Sequence, residues 1–373
     1  MSAAYDVAIV GAGMAGARLA AEVAQHARVL LLEAEDHPGY HSTGRSAAFW
    51  SETYGGPGVQ PLTTASREFL ADPPEHVSDR SFLTHRGCLH IADAPGEGAL
   101  DALLADFYGC DVVLEPRSRD ELERALPQLR AGWDRGVYEP SCADIDVAGL
   151  HAAYLRLARK AGADLVTASR VARAGRAGGQ WRLETTSGAF SASILVDAAG
   201  AWADQVAALA GERPLGIQPY RRTLLQIEVD PPAPAELPLV VDASGRFYFK
   251  PEAGGRLWLS PHDETACDPC DCAPEELDVA RAIAGLELAT DWRVVRIERR
   301  WAGLRSFAPD RLPVYGFSDS GRGFFWCGGQ GGFGIQTAPA AARLAGALLL
   351  GRDPASAGPD IDASRYRPDR FAS

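Results

Sequence analysis

Residues 7–33, VAIVGAGMAGARLAAEVAQHARVLLLE, carry the clearest structural pattern in the chain. The first four residues predict a short buried strand, and the glycine-rich segment 11–16 predicts a tight turn. The alanine-rich run after it predicts a helix, and a second apolar strand, Val29–Leu32, ends on Glu33. A strand, a glycine loop, a helix, a strand and an acid in this order are typical of a dinucleotide-binding unit.

The glycines of this loop have separate physical roles. Gly11 allows the tight turn, Gly13 lets backbone amides approach a pyrophosphate, and Gly16 lets the helix pack closely on the strand. The helix N-terminus adds free N–H groups and the positive end of a dipole. Glu33 can accept hydrogen bonds from a ribose 2′-hydroxyl, whereas its carboxylate would repel a 2′-phosphate.

The composition excludes several classes of protein. The chain has 373 residues, of which 46% are hydrophobic and 23% charged, and its net charge is −12. This acidic balance, without a Lys/Arg-rich run, argues against nucleic acid or an anionic membrane as partner, but not against a small anion in a pocket. The longest apolar stretches are too short for a transmembrane segment, and the N-terminus lacks a secretory signal pattern. Seven scattered cysteines fit a reducing environment, so a cytoplasmic location is predicted.

The remaining pattern predicts an α/β protein with two interleaved domains. Segments 1–80, 148–220 and 306–373 are predicted to form a Rossmann-like domain, because strands near 190–196 and 323–327 each run into a small-residue or glycine loop. Asp146 and Gly162 delimit a strong helical pattern within it. Segments 81–147 and 221–305 have short alternating runs and Pro/Gly turns, which predict a smaller domain with a mostly antiparallel sheet.

Three cysteines form a C-x2-C-x-C cluster, Cys267, Cys270 and Cys272, in a loop rich in Pro and Asp. A metal site would need a second pair of ligands at suitable spacing, and none is evident. Free thiols are therefore the preferred interpretation, and no metal is predicted.

Beyond the first glycine loop with Glu33, four motifs complete a pattern: Gly39-Tyr-His-Ser-Thr-Gly-Arg-Ser-Ala-Ala48, Asp197-Ala-Ala-Gly-Ala-Trp202, Trp301-Ala-Gly-Leu-Arg305 and Gly331-Gly-Phe-Gly-Ile-Gln-Thr337. Together the motifs resemble the FAD-dependent oxidoreductases of the D-amino-acid oxidase (DAO) family. Within the family they are most similar to the bacterial D-arginine dehydrogenases, which are broad-specificity D-amino-acid dehydrogenases. The resemblance implies the fold of the DAO and glycine-oxidase type, with FAD on the first domain and substrate on the second.

The resemblance also implies which residues bind the cofactor. FAD would be non-covalent, with its ADP half on the first glycine loop and its isoalloxazine facing the second domain. A covalent thioether to the nearby Cys327 is not expected. The implied cofactor-binding residues are Gly11, Gly13, Ala15, Gly16, Glu33, Ala34, His41, Ser42, Thr43, Gly44, Arg45, Ser46, Ala47, Ala48, Val171, Ala199, Gly200, Trp202, Gly331, Gly332, Phe333, Gly334, Ile335 and Gln336.

A substrate site follows from the same resemblance. Arg222 and Arg305 match the carboxylate clamp of the family, in which a planar guanidinium binds a carboxylate through two hydrogen bonds. Tyr54 and Tyr248 match tyrosines that flank the substrate, and Gln336 matches a position near the substrate amine; these five are the predicted catalytic residues. The implied pocket residues are Phe49, Ser51, Cys88 and Gly332. A surface ion pair remains open for Arg222, and a cofactor-supporting role remains open for His41.

These residues predict FAD-dependent oxidative deamination of D-amino acids, in which a hydride passes from Cα to flavin N5 and the imino acid is hydrolysed to a 2-oxo acid and ammonia. Two positions differ from the D-arginine dehydrogenases: Cys88 stands where they have a carboxylate, and Phe49 where they have a histidine. A cationic side chain would lack its partner, which is costly in a buried site. A neutral apolar or aromatic D-amino acid is therefore predicted, unless Glu52 supplies a shifted carboxylate.

Several alternatives stay open. Secondary amines of the glycine and sarcosine type, or 2-hydroxy acids, could be the substrates, because one fold and one arginine clamp serve all of them. A hydroxy acid would need a base, for which His41 is the candidate. A non-catalytic flavoprotein is the alternative from another class. The electron acceptor is either oxygen or a quinone or other electron-transfer partner.

Overall fold

The predicted N-terminal unit forms in the computed structural model, which describes residues 5–371. Strand β1 (Tyr5–Val10) is followed by helix α1 (Met14–Val23) and strand β2 (Val29–Leu32). The two strands pair in parallel, with Val7 opposite Val29. Alternate side chains pack against α1 and the C-terminal helix on one face and against the helix after residue 202 on the other. Burial on both faces explains why these strands are continuous apolar runs.

The other helices are α2 (Gln60–Ala71), α3 (Glu97–Asp106), α4 (Arg119–Ala125), α5 (Val147–Lys160), α6 (Ala203–Leu209), α7 (Glu276–Ala289) and α8 (Ala338–Leu349). The other strands are β3 (Phe49–Trp50), β4 (Leu83–His85), β5 (Cys88–Ala92), β6 (Glu115–Arg117), β7 (Arg135–Glu139), β8 (Ala143–Ile145), β9 (Asp164–Val166), β10 (Val171–Ala177), β11 (Gln180–Thr185), β12 (Gly188–Asp197), β13 (Gln218–Asp230), β14 (Leu239–Asp242), β15 (Tyr248–Glu252), β16 (Arg256–Ser260), β17 (Thr265–Ala266), β18 (Arg293–Phe307), β19 (Val314–Phe317), β20 (Phe324–Gly328) and β21 (Gln330–Gly331). Short 3₁₀ helices lie at Thr43–Arg45, Ala94–Gly96, Gly200–Trp202, Pro354–Ala357, Ala363–Tyr366 and Pro368–Phe371.

The first sheet is parallel at its centre. Strands β9, β2, β1, β12 and β20 lie side by side in this order and run parallel, and β19 pairs antiparallel with β20. The hairpin β10–β11 extends the N-terminal half of β12. The carboxyl ends of β1, β12 and β20 therefore meet at one edge, where a ligand crevice is expected in a sheet of this kind.

The second sheet is almost entirely antiparallel, as the sequence predicts. Its order is β21, β18, β13, β16, β15, β14, β5, β7 and β6, with β17 also paired to β13. The exception is β14, which runs parallel to β5. Its aromatic core, which includes Phe247, Phe249 and Trp292, packs under α7. A third, small sheet of β3, β8 and β4, which the sequence does not predict, places Phe49 opposite Asp144.

The longest ladder of the second sheet joins β13 and β18. Tyr220 lies opposite Arg305 and Arg222 opposite Gly303, so the two arginines are diagonal neighbours on one face of the sheet. Within residues 5–371, no helix is long and apolar enough to cross a membrane.

Candidate functional site

A cavity of about 330 Å³ opens at the carboxyl edge of the parallel sheet and continues towards the arginine-bearing strands. Most of the predicted cofactor residues line it: Gly11, Gly13, Ala15, Glu33, Ala34, His41, Ser42, Thr43, Arg45, Ser46, Ala47, Val171, Ala199, Gly200, Trp202, Gly331, Gly332, Gly334 and Ile335. Five others do not line it. Gly16 packs against Gly11, Gly44 against Gly39, and Phe333 against Phe307, while Ala48 and Gln336 border a smaller chamber beside the cavity.

The glycine loop has the shape that a pyrophosphate requires. Gly11 has a φ of +101°, and a Cβ there would lie 2.4 Å from the carbonyl oxygen of Ala198, so only glycine fits. At Gly13 a Cβ would meet only Thr43 Oγ1, at 3.3 Å, which leaves the backbone open towards the cavity. Glu33 accepts the N–H of Ala12 at 3.0 Å and so braces the loop.

Two side chains on the cavity wall bear on the alternatives that the sequence leaves open. The His41 imidazole is 3.0 Å from Glu35 and packs on Trp202 at 4.6 Å between ring centres, which suits a wall residue of the cofactor cleft. Burial raises the pKa of the Cys327 thiol to about 12. Because the thiolate is the nucleophile, this cysteine is poorly suited to covalent attachment of a cofactor.

Arg222 is buried and held from one side. Its Nε donates to the carbonyl oxygen of Asp263 at 2.7 Å and its Nη2 to Glu264 at 3.2 Å, whereas its Nη1 has no partner among the described residues. Burial and, after it, the charge of Arg305 lower the pKa of Arg222 to about 10, so the side chain stays protonated at neutral pH. Its neighbour Arg221 instead pairs with Glu275 and Asp278.

Arg305 faces the chamber without a carboxylate of its own. Its guanidinium carbon lies 5.7 Å from the ring centre of Tyr54, and it forms no ion pair with a described residue, unlike Arg222. The hydroxyl group of Tyr248 is likewise buried without a hydrogen-bond partner in the described chain. Leaving a buried donor unpaired costs about 1–3 kcal/mol, so these groups together indicate an anionic or polar ligand.

His262 belongs to this group although no sequence pattern marks it. Its ring packs edge-on against Tyr248 at 5.5 Å, and its Nδ1 is buried without a partner among residues 5–371. Burial, followed by the charges of Arg222 and Arg305, lowers the pKa of His262 to about 2. The imidazole is therefore neutral and adds no third positive charge.

The smaller chamber lies between Arg305 and the glycine-rich C-terminal loop. It holds about 10 Å³, room for about one water molecule. Its lining residues are Ser46, Ala47, Ala48, Phe49, Tyr54, Arg305, Gly332, Ile335 and Gln336. A Cβ on Gly332 would lie 1.9 Å from the Tyr54 hydroxyl oxygen, so the absence of a side chain there lets Tyr54 reach the chamber.

The structure brings Tyr54, Phe49, Arg305 and Gly332 together on the chamber and puts Arg222 and Tyr248 beside them. Of the other predicted residues, Ser51 and Cys88 lie behind the wall, and Gln336 borders the chamber but has its amide hydrogen-bonded within the protein. The Gln336 amide is taken up by the backbone of Ser51 and Tyr54 and by Thr63, and the Ser51 hydroxyl donates to Glu139 at 2.9 Å. Cys88 is 1% exposed and packs against Tyr248 and Cys142, outside both cavities.

Glu52 does not restore an anion to the chamber. Its carboxylate accepts hydrogen bonds from the hydroxyls of Thr64 at 2.6 Å and Ser141 at 3.0 Å, and it lines neither cavity. Within the described residues, no cluster of three or more His, Cys, Asp or Glu side chains could hold a metal ion, and all seven cysteines are free thiols.

The chain is similar in sequence to a known family of proteins and to several of its members. A family model described as FAD dependent oxidoreductase, DAO, matches residues 6–348. The glycine oxidase of Geobacillus kaustophilus is 27% identical over 361 residues, which cover 92% of this chain and 93% of that protein. The monomeric sarcosine oxidase of Bacillus sp. (strain B-0618) is 26% identical over 237 residues, covering 62% and 60% of the two chains.

Solved structures agree on the fold. The crystal structure of the G. kaustophilus glycine oxidase has a TM-score of 0.81 at 25% identity, covering 94% of this chain and 95% of that one. An L-proline dehydrogenase from P. horikoshii has a TM-score of 0.85 at 19% identity, covering 100% and 99%, and shows likeness of fold alone. The predicted fold class is thus confirmed. The narrower resemblance to D-arginine dehydrogenases is not, because the similar proteins are glycine, sarcosine and dimethylglycine enzymes.

Proposed function

The chain belongs to the DAO family of FAD-dependent oxidoreductases, as its motifs predict, and from that premise we propose that it oxidises a small amino acid at the carbon that bears the amine. Glycine and N-methylated glycines are the leading substrates, and the imine product hydrolyses in water. The observation that carries the proposal is the pair of buried unpaired donors, Arg222 Nη1 and the Tyr248 hydroxyl, beside the Arg305 guanidinium, which lines the chamber without an ion pair among the described residues. Together these groups suit a substrate carboxylate.

FAD supplies a hydride acceptor when it is bound. The residues present fit this cofactor: the open backbone at Gly13 and the N-terminus of α1 would hold the pyrophosphate. Segments 41–48 and 331–335 would hold the flavin end, next to the chamber. The protonated, buried Cys327 supports non-covalent binding.

The arginines bind and orient the substrate. Arg222 offers Nη1 and the Tyr248 hydroxyl adds a second donor, while Arg305 offers a guanidinium that lines the chamber, so the carboxylate would be fixed from one side. Fixing the carboxylate leaves the carbon next to it in one orientation, and such positioning accounts for much of the catalysis in reactions of this kind. Tyr54 and Phe49, whose ring centres are 5.3 Å apart, exclude water from the other side.

An amine is favoured over a 2-hydroxy acid. A hydroxyl group must lose its proton as the hydride leaves, which needs a base, whereas an amine that binds in its neutral form does not. Among the described residues, no Asp, Glu or His lines the chamber. His262 is close to Tyr248, but a pKa of about 2 makes its imidazole too weak a base, and His41 is engaged with Glu35.

The size of the chamber favours substrates with little side chain. With Phe49 and Tyr54 in these positions the chamber, of about 10 Å³, holds only about one water molecule, so a substrate must also occupy the adjoining cavity and a large side chain has no room in the chamber. The glycine and sarcosine oxidases among the relatives support this preference.

Neutral apolar D-amino acids are the second candidate. The aromatic rings of Phe49, Tyr54 and Tyr248 border the site. It contains no carboxylate for a cationic side chain, because position 88 is a cysteine and the Glu52 carboxylate is bonded to Thr64. If the Tyr54 loop moves at Gly55 and Gly56, the enlarged chamber would suit an apolar side chain and still reject D-Arg.

A substrate panel tests the proposal. The purified flavin-loaded protein is mixed without oxygen with glycine, sarcosine, D-Leu, D-Phe, D-Arg and glycolate, and loss of the oxidised flavin absorbance is followed. We expect sarcosine or glycine to reduce the flavin fastest. Preference for D-Leu or D-Phe would select the second candidate, and reduction by glycolate alone or by no compound would refute both.

The electron acceptor requires a separate measurement. Turnover with the best substrate in air, with hydrogen peroxide assayed against substrate consumed, identifies oxygen as the acceptor if the two amounts are equal. Turnover that depends on an added quinone, without peroxide, identifies a dehydrogenase.

A further inference from the structure

Residues 51–54, between β3 and α2, form a short segment that carries Tyr54 into the chamber. One side of this segment is held by Gln336: the N–H of Ser51 donates to its Oε1 at 3.2 Å, and its Nε2 donates to the carbonyl oxygens of Ser51 and Tyr54, each at 3.1 Å. Gln336 precedes α8, so this contact ties the segment to the nucleotide-binding sheet side of the molecule.

The other side is held by Glu139, the last residue of β7 in the antiparallel sheet. Its Oε1 accepts the N–H of Glu52 at 2.6 Å, and its Oε2 accepts the hydroxyls of Thr53 at 2.6 Å and Ser51 at 2.9 Å. One carboxylate thus binds three consecutive residues. Hydrogen bonds to an ionised group are stronger than those between neutral groups, so the Glu139 carboxylate holds residues 51–53 tightly. We call this set of three hydrogen bonds the Glu139 anchor.

Glu139 is fully buried, and its carboxylate oxygens are hydrogen-bonded within the protein. Its side chain has no exposed area, and His90 Nε2 lies 3.8 Å away. Burial raises the pKa of Glu139, but His90 and the hydroxyls of Thr53 and Ser51 lower it more, so the carboxyl group is ionised at neutral pH. It lines neither cavity, and therefore can influence a ligand only through the segment it holds.

We propose that Glu139 is a positioning residue for substrate binding, which acts by fixing residues 51–53 so that Tyr54 stays against Gly332 and over Arg305. The inference rests on the proposed function, in which Tyr54 closes the chamber over the substrate. Gly55 and Gly56 follow Tyr54 with φ values of +101° and +74°, a backbone conformation that residues with side chains rarely adopt. Two glycines in succession can act as a hinge on that side of Tyr54. Tyr54 is therefore held by the Gln336 amide at its carbonyl oxygen and by the Glu139 anchor through the three residues before it.

The test begins with Glu139→Gln in the flavin-loaded full chain. The amide keeps the volume but removes the charge and one acceptor oxygen. We expect KM for the carboxylate substrate to rise about tenfold, the effect of weakening one charged hydrogen bond, while kcat changes less than about twofold. Glu212→Gln is the matched control, because Glu212 is also buried and accepts hydroxyls, from Ser318 and Ser320, far from the chamber. It should leave KM unchanged.

A double-mutant cycle shows whether Glu139 acts through Tyr54. In a Tyr54→Ala background, Glu139→Gln should raise KM much less than in the wild type, since the ring that the segment positions is already absent. An equal rise in both backgrounds, no rise in either, or the same rise in Glu212→Gln overturns the proposal.

Amide hydrogen exchange in the substrate-free protein separates this proposal from the proposed function. Glu139→Gln should speed exchange in the peptide that spans residues 51–56, and Glu212→Gln should not. If no amine is oxidised, the proposed function fails, yet this exchange result still decides whether Glu139 holds the segment. If Glu139→Gln does not fold, Thr53→Val removes one of the three donors and should give a smaller change in the same direction; unchanged exchange there overturns the proposal.

Discussion

Arg305 and Arg222 lie side by side, but they are held differently. Arg222 is oriented by the carbonyl group of Asp263 and by Glu264, whereas Arg305 has only the Tyr54 ring beneath it and no ion pair in the described chain. Arg305 is half-buried at the chamber wall, and an arginine there without a counter-ion can pair with the carboxylate of a ligand. Arg305 is therefore the residue whose substitution should affect substrate binding most directly.

Arg305→Lys should lower kcat/KM at least about 100-fold, because a single ammonium group cannot form the two parallel hydrogen bonds of a guanidinium. Arg221→Lys is the control. Arg221 stands next to Arg222 but lines neither cavity and pairs with Glu275 and Asp278, so its substitution should leave KM within about twofold even where it lowers stability. Steady-state kinetics on both variants measure this, and similar losses in the two would contradict the assignment of the clamp.

His262 should make the folded protein sensitive to acid. Its folded-state pKa of about 2 is below the ordinary value of 6.5, so below pH 6.5 the unfolded chain binds a proton that the folded chain does not. Stability is then lost as the pH falls, by at most about 1.4 kcal/mol per pH unit. Urea unfolding at pH 7 and pH 5 should show a smaller loss in His262→Gln than in the wild type. Equal losses would mean that His262 is not buried beside the two arginines.

At the scale of elements, the sequence predicts a helix or strand correctly where the segment itself contains the apolar periodicity and the residues that begin and end it. The β1–α1–β2 unit, β12 and β20 form where the apolar runs and glycines predict them, and helix α5 lies between Asp146 and Gly162. The sheet of β3, β8 and β4 was not predicted, because strands of two or three residues leave no periodicity to read.

The glycine loop gives a prediction at this scale. Gly11→Ala would place a methyl group 2.4 Å from the carbonyl oxygen of Ala198, at a φ that side chains rarely adopt, so the loop must shift. Purified Gly11→Ala should therefore contain little FAD. Gly175→Ala is the control, since a Cβ there meets nothing within 4 Å and the residue lies on an edge hairpin. Flavin absorbance per protein measures the outcome, and full occupancy in Gly11→Ala would contradict the role of the loop.

At the scale of the whole molecule, the site depends on pairings that local sequence does not reveal. The register of β13 on β18 makes Arg222 and Arg305 neighbours, and the resemblance to a family, not any spacing, identified both. The same resemblance placed Ser51 and Cys88 in the site, whereas the structure puts them behind its wall. Glu139 and His262 carry no motif, because what distinguishes them is burial beside particular partners, which only the folded chain creates.

The proposed substrate is a small amine that must also carry a carboxylate. The most direct test compares sarcosine with dimethylamine, which keeps the secondary amine and the methyl group but lacks the carboxylate, in oxygen-free rapid mixing with the flavin-loaded protein. Sarcosine should reduce the flavin with a rate that saturates, and dimethylamine at the same concentrations should leave it oxidised. Equal reduction by the two amines, or reduction by dimethylamine alone, would contradict the carboxylate clamp of Arg222 and Arg305.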